Sequence, residues 1–377
     1  MGTLFDYLNW RGDLSFSQAP INEVDSLIFS LLSYLDFDGI VPSDVADEGI
    51  PLRAVANTFA ARYPDPSKRS NIGLILPRQI APLLLAARNT RRFRNVLIKG
   101  YVNEIDPKNE MQFSATTFIL PDVGAIVAYR GTDDTLIGWK EDFNMSFLPE
   151  VPAQRAAADY LDKIAPYLPN DIYITGHSKG GNLAVWAAVH AVPPVRARLK
   201  QVWCNDGPGF GKGMLENPDY IEIRPMIKFF VPQSAVIGIL LEHNENYTVV
   251  KSRTAGLLQH DAISWNISGA SFVYVETVTA SSKRLDRTLN ELVQKMTPAQ
   301  REQFVELLFG MLSSNKELTL TELFEQSKKK GFVKQLVAPD PAVREASQKM
   351  MNLLLDMGKQ KFLATLNERI PKIKKDK

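Results

Sequence analysis

Apolar positions near the start of the chain recur at helical spacing. From Pro20 to Leu35, the side chains of Leu27, Ile28, Leu31, Leu32 and Leu35 fall on one face. Asn22 stands where a side-chain oxygen can cap the first free amides, and Asp25 suits the positive end of that turn. A second apolar segment covers Ile80 to Ala87. From residue 95 the pattern becomes that of strands, over 95–104, 112–120 and 124–130. Asp106-Pro107-Lys108-Asn109 supplies hairpin chemistry between the first two. Strands and helices then alternate. Residues 153–167 read as a helix, 171–175 as a strand, 181–191 as a helix, and 201–204, 228–231 and 247–251 as strands. Short β runs separated by helical segments imply parallel crossover units on a sheet with helices on both faces. The expected fold class is α/β.

Beyond residue 280 the strand pattern stops. Thr297-Pro298-Ala299-Gln300 is a capping box with proline at the first helical position, opening a segment with Phe304, Leu308 and Met311. Thr319 and Glu322 form another box, and Asp340-Pro341 starts a third helix running towards Arg369. Residues 281–377 hold 19 Lys+Arg against 12 Asp+Glu, whereas residues 1–280 hold 25 against 30. The expected organisation is an α/β domain over 1–280 with an N-terminal helical extension, then a basic, all-helical C-terminal subdomain over 281–377.

Composition narrows the function classes. The 377 residues are 45% apolar and 23% charged, the usual globular balance, and the net charge of +2 gives no reason to expect nucleic acid. Cys204 is the single cysteine, which excludes an internal disulfide and a CxxC metal site. Four histidines, none at HxxxH spacing, give no expectation of a metal or cofactor. No signal-like leader and no run of roughly 18 apolar residues is present, so no transmembrane segment and a cytoplasmic location are expected. The lysine-rich end, Lys372 to Lys377, reads as a solvated tail or as a peripheral contact with anionic membrane.

The chemistry concentrates in one turn. The apolar run ending at Thr175 is followed by Gly176-His177-Ser178-Lys179-Gly180-Gly181 and then by a helix, without spare residues. A bare G-x-S-x-G arises by chance in roughly one chain in eight of this length; a strand before it and a helix after it make it far more specific. The sharp turn exposes the Ser178 hydroxyl at the carboxyl end of a sheet, beside the free amides of a helix start. The plainer alternative is a glycine-rich turn whose serine only caps the helix.

A serine nucleophile needs a base. His177 sits beside it on a rigid turn, and His190 lies about 18 Å along the following helix. His260, after the late strand 247–251, is favoured; His243 is the alternative. In the plain reading, His260 is a surface loop residue before a buried Trp265. The acid is Asp206, just past the strand ending at Asn205, or Glu242, or absent, leaving a dyad. The strand 228–231 would be the more usual donor, but it runs into Pro232-Gln233-Ser234 with no carboxylate. Oxyanion donors are expected from Lys179, after the nucleophile, and from Thr132 in Arg130-Gly131-Thr132-Asp133-Asp134. The Lys179 side chain would meet an anionic substrate group or a carboxylate such as Asp142, or else lie in solvent.

Three motifs occur in order: Ala128-Tyr-Arg-Gly-Thr132, then Trp139 and Asp142 within residues 138–143, then Gly176-His-Ser-Lys-Gly-Gly181. Over residues 95–265 they resemble the class 3 (fungal-type) lipases. More closely, the chain resembles a family of uncharacterised bacterial α/β-hydrolase-like proteins related to those lipases, with the same His-Ser-Lys-Gly-Gly-Asn signature. The resemblance implies an α/β-hydrolase sheet, with Ser178 as nucleophile, His260 as base and Thr132 at the oxyanion position. Two departures stand out: Lys179 replaces the usual leucine, and Pro232-Gln-Ser-Ala-Val236 replaces the segment that carries the lipases' acid. The implied activity is hydrolysis of a lipid or small carboxylic ester through an acyl-enzyme. The competing expectation is a hydrolase scaffold with a degraded acid position, serving as a protein-interaction module.

Overall fold

The computed structural model describes residues 2–64, 79–132, 141, 144–145, 148–235, 237–239, 241, 247–254, 256–280, 282–283, 297, 299–300, 341 and 344–345. Among the described residues, four helices precede the main strands: α1 (Leu4–Arg11), α2 (Glu23–Leu32), α3 (Leu52–Arg62) and α4 (Ile80–Ala87). Asn22 caps α2, accepting from the Val24 and Asp25 amides, while the Asp25 carboxylate reaches back to the Asn22 amide. The helix predicted from Pro20 is therefore shorter at both ends, because its cap begins at Asn22 and its last turn tightens after Leu32.

Among the described residues, the central sheet has nine strands in the order β1-β2-β3-β4-β5-β6-β7-β8-β11. They are β1 (Ile50–Pro51), β2 (Leu97–Asp106), β3 (Met111–Leu120), β4 (Gly124–Tyr129), β5 (Ile172–His177), β6 (Leu199–Asn205), β7 (Ile227–Pro232), β8 (Tyr247–Val250) and β11 (Tyr274–Val275). Strands β1 to β4 pair antiparallel, β4 to β8 pair parallel, and β11 returns antiparallel on β8. A separate two-stranded ribbon joins β9 (Ile267–Ser268) to β10 (Ser271–Phe272). The sheet is mixed, with an antiparallel edge feeding a parallel centre, as the change after residue 130 from strand runs to alternating strands and helices predicts.

Strand alternation divides the core. In β4, Ile126 and Ala128 face the layer of α1 to α4, while Ala125, Val127 and Tyr129 face α5 (Pro152–Ile164) and α6 (Lys179–His190). Helices thus cover both faces. The single apolar stripe expected for α2 understates its burial, since every residue from Val24 to Leu32 is buried. Its serines tolerate this through local bonds: Ser26 Oγ donates to the Glu23 carbonyl, and Ser30 Oγ to that of Ser26. Asp25 forms a fully buried ion pair with Arg92, whose guanidinium also donates to the Ala19 and Pro20 carbonyls. This ties the approach to α2 onto the segment before β2.

Thr297 and Gln300 make the two reciprocal bonds of the predicted capping box. Pro341, Arg344 and Glu345, in the third expected helix, are helical; the rest of the segments expected after residue 300, the Thr319 box and the lysine-rich end lie outside the described residues. Among the described residues, no helix is long and apolar enough to cross a membrane, and no group of His, Cys, Asp and Glu could hold a metal ion.

Candidate active site

Ser178 sits between β5 and α6 with φ 57° and ψ −133°, a conformation that L residues rarely adopt. Such backbone costs about 1–3 kcal/mol and persists only where the surroundings over-determine it. Here the Ser178 amide donates to the Asn205 carbonyl at the end of neighbouring β6. The Asn205 side chain donates to Ser30 Oγ, Thr175 Oγ1 and the Gly176 carbonyl. A polar seam from α2 through β5 to β6 therefore underlies the turn.

Three sequence-predicted residues meet above that turn. His260 Nε2 lies 3.0 Å from Ser178 Oγ, and His260 Nδ1 lies 2.6 Å from Asp206 Oδ2. The carboxylate fixes the tautomer: Nδ1 donates to it, which leaves Nε2 free to accept from the serine hydroxyl. Asp206 is fully buried at φ 53°, its amide donating to the Phe230 carbonyl and its Oδ1 accepting from the Gly238 amide. The carboxylate thus comes from the end of β6, directly beside β5, rather than from β7. Glu242 and His243, the alternatives for acid and base, lie outside the described residues.

The segment after β7 has another task. The Ser234 amide donates to Gln259 Oε1, Gln259 Nε2 donates to the Thr254 carbonyl, and the indole of fully buried Trp265 donates to the Gln259 carbonyl. Ser234, in the segment where the sequence offers no acid, thus helps hold the loop that carries His260. His260 is itself only 8% exposed, so the reading of a surface loop residue is not what the structure shows.

His177 is a structural partner of His260. Its Nε2 donates to the His260 carbonyl at 2.9 Å, and its Nδ1 accepts from the Tyr34 hydroxyl at 3.0 Å. Burial first, and the neighbouring His260 second, push its pKa well below the usual histidine range, so the ring is neutral. Nothing in the sequence pointed to Tyr34, which lies near the end of the helix expected over Pro20 to Leu35. His190 stacks on Trp186 at 4.1 Å, one turn back along α6.

At the expected oxyanion loop, Gly131 lies against the turn. A Cβ there would stand 2.5 Å from the His177 carbonyl oxygen and 3.0 Å from Ser178 Cβ, so only glycine permits the approach. Thr132, next in the chain, is buried. The Lys179 amide opens α6 and has no carbonyl of its own helix to bond. Asp133, Asp134, Trp139 and Asp142 lie outside the described residues.

The Lys179 side chain follows the carboxylate alternative of the sequence reading, with Glu141 rather than Asp142 as its partner. It is neither solvated nor aimed at substrate. Its Nζ is buried and donates to Glu141 Oε2 at 2.9 Å, and to the Gln112 carbonyl and Oε1, each at 2.7 Å. Three donors meet three acceptors, which leaves the ammonium no capacity for an anionic ligand. Glu141 falls within the 138–143 motif, but nothing in the sequence singled it out from its neighbour Asp142.

No curated protein and no solved structure matches the chain. Residues 87–310, well over half of the chain, match one family model, and their span takes in Ser178, Asp206 and His260 alike. The chain belongs to the Mbeg1-like family.

Proposed function

We propose that the protein is a serine hydrolase of α/β-hydrolase architecture that cleaves carboxylic esters. One observation carries this reading: a hydroxyl on a strained turn faces the acceptor nitrogen of an imidazole whose other nitrogen is held by a buried carboxylate. Ser178 Oγ attacks the ester carbonyl carbon while its proton passes to His260 Nε2. Asp206 stabilises the resulting imidazolium. The tetrahedral oxyanion is met by the Lys179 amide and by Thr132, in a site with little access to water. Collapse breaks the carbon–oxygen bond to the alcohol, which leaves with the proton from Nε2. Water, deprotonated by the same nitrogen, then releases the acid and restores Ser178. Every proton is accounted for by one imidazole.

Lipid or small acyl esters are the proposed substrates, supported by the lipase-like motifs that fall within the family match. The competing idea of a degraded scaffold started from the missing acid after β7; Asp206 offers a carboxylate to the same imidazole from β6. A fluorophosphonate probe tests the proposal directly. Labelling of the wild type that disappears in Ser178→Ala, with ester turnover falling by about 10⁶-fold, is the expected result. A wild-type protein that does not label would favour the interaction module.

A further inference from the structure

The buried Lys179–Glu141 pair stands next to the proposed nucleophile, and stability does not explain it. Desolvating two charges is expensive, and apolar residues of similar volume often serve a fold as well or better. What the pair does supply is position. Lys179 contributes the first amide of α6, and its own side chain ends in three hydrogen bonds that permit one geometry. Glu141 is tied equally tightly: Oε2 also accepts from the Gln112 amide, and Oε1 accepts from the Ala153 amide in the first turn of α5. One carboxylate thus joins β3, α5 and α6.

Two features make that junction relevant to chemistry. Ser178 is held on its amino side by the bond from its amide to Asn205, and the Lys179 side chain is the corresponding anchor on its carboxyl side. A strained residue needs both. Lys179 itself carries one of the two proposed oxyanion donors, so the anchor on its side chain acts on that donor as well.

We infer that Lys179 and Glu141 are positioning residues: their buried ion pair sets the direction of the Lys179 amide and thereby tunes the oxyanion site, without touching substrate. The inference rests on the serine-hydrolase reading and specifies how its oxyanion site is held.

Lys179→Met tests it, because the backbone amide stays while its anchor goes. Measurements are thermal unfolding, kcat and KM for p-nitrophenyl butyrate, the rate of fluorophosphonate labelling, and affinity for an alkyl boronic acid that forms a tetrahedral serine adduct. The expected variant is folded, keeps KM within about twofold, and loses about 10- to 100-fold in kcat, labelling rate and boronate affinity together. Glu141→Gln serves as the second variant and is expected to show the same split. A folded variant that labels and binds boronate like wild type overturns the inference while leaving the hydrolase reading intact. If neither variant folds, the pair serves stability and the inference fails. If wild type itself does not label, the hydrolase reading fails first and takes the inference with it.

Discussion

Each residue of the site is defined by what its second atom does. His260 can accept from serine because its other nitrogen donates to Asp206, and Asp206 can hold that bond because its second oxygen takes the Gly238 amide. His177 shows the same logic at one remove, since a neutral ring donates at Nε2 and accepts at Nδ1. That neutrality has a consequence for pH. The folded pKa is lowered below the usual 6.5, so below that pH the unfolded chain binds a proton that the native ring refuses. Stability therefore falls as pH drops below about 6.5, with a share for this one group of about 1.4 kcal/mol per pH unit. Urea midpoints measured between pH 7.5 and 5.0 should fall more steeply for wild type than for His177→Asn. Parallel slopes would show that His177 is charged in the native state.

At the scale of elements, the site is a meeting of strand ends. β5, β6 and β8 lie close together in a parallel sheet, so the segments following them emerge on one edge, where Ser178, Asp206 and the loop of His260 converge. The turn between β5 and α6 packs directly on β4. A Cβ on Gly180 would strike the Tyr129 carbonyl oxygen and stand 2.8 Å from the Arg130 carbonyl carbon. Backbone cannot rotate away as a side chain can. Gly180→Ala should cost at least about 3 kcal/mol, seen as loss of soluble protein or a much lower melting temperature. Gly213, in the short helix Lys212–Leu215, is the control, because nothing lies within 4 Å of a Cβ there. Gly213→Ala should leave stability unchanged or raise it by about 0.5–1 kcal/mol. Equal melting temperatures for the two variants would remove the steric account of the turn.

Across the whole molecule, the four N-terminal helices form one of the two layers on the sheet. α2 lies over the centre of the sheet, and Phe29 packs on Phe118 of β3 at 4.8 Å. The family match begins at residue 87, the last residue of α4, yet the sheet it contains has an apolar face that the four-helix layer covers. Ile126, Ala128, Trp203 and Phe230 all belong to the shared core. Removing residues 1–86 would expose this face and also delete the Ser30 and Tyr34 contacts beneath the turn. Such a truncation is expected to be insoluble, or to lack cooperative unfolding. A soluble fragment with a sharp melting transition would mean that the family span folds without its cover.

Local chemistry is legible in a sequence because it acts over a few residues. The Asn22 cap and the strand–turn–helix around Ser178 both reach their partners within a few residues of chain, and the structure has each of them. His260 and Asp206 were narrowed by counting, since few histidines and few strand-end carboxylates were on offer. What the sequence could not specify was which distant groups meet. The contact of Asp206 with His260 spans 54 positions, that of Tyr34 with His177 spans 143, and that of Lys179 with Glu141 spans 38. Such partners share no period and no spacing; they meet only once the sheet has brought the ends of its strands together. For the same reason the sequence left Lys179 free to face substrate, a neighbouring carboxylate or water, and only the packed interior, where a charge must be matched to remain, decided for a carboxylate, that of Glu141.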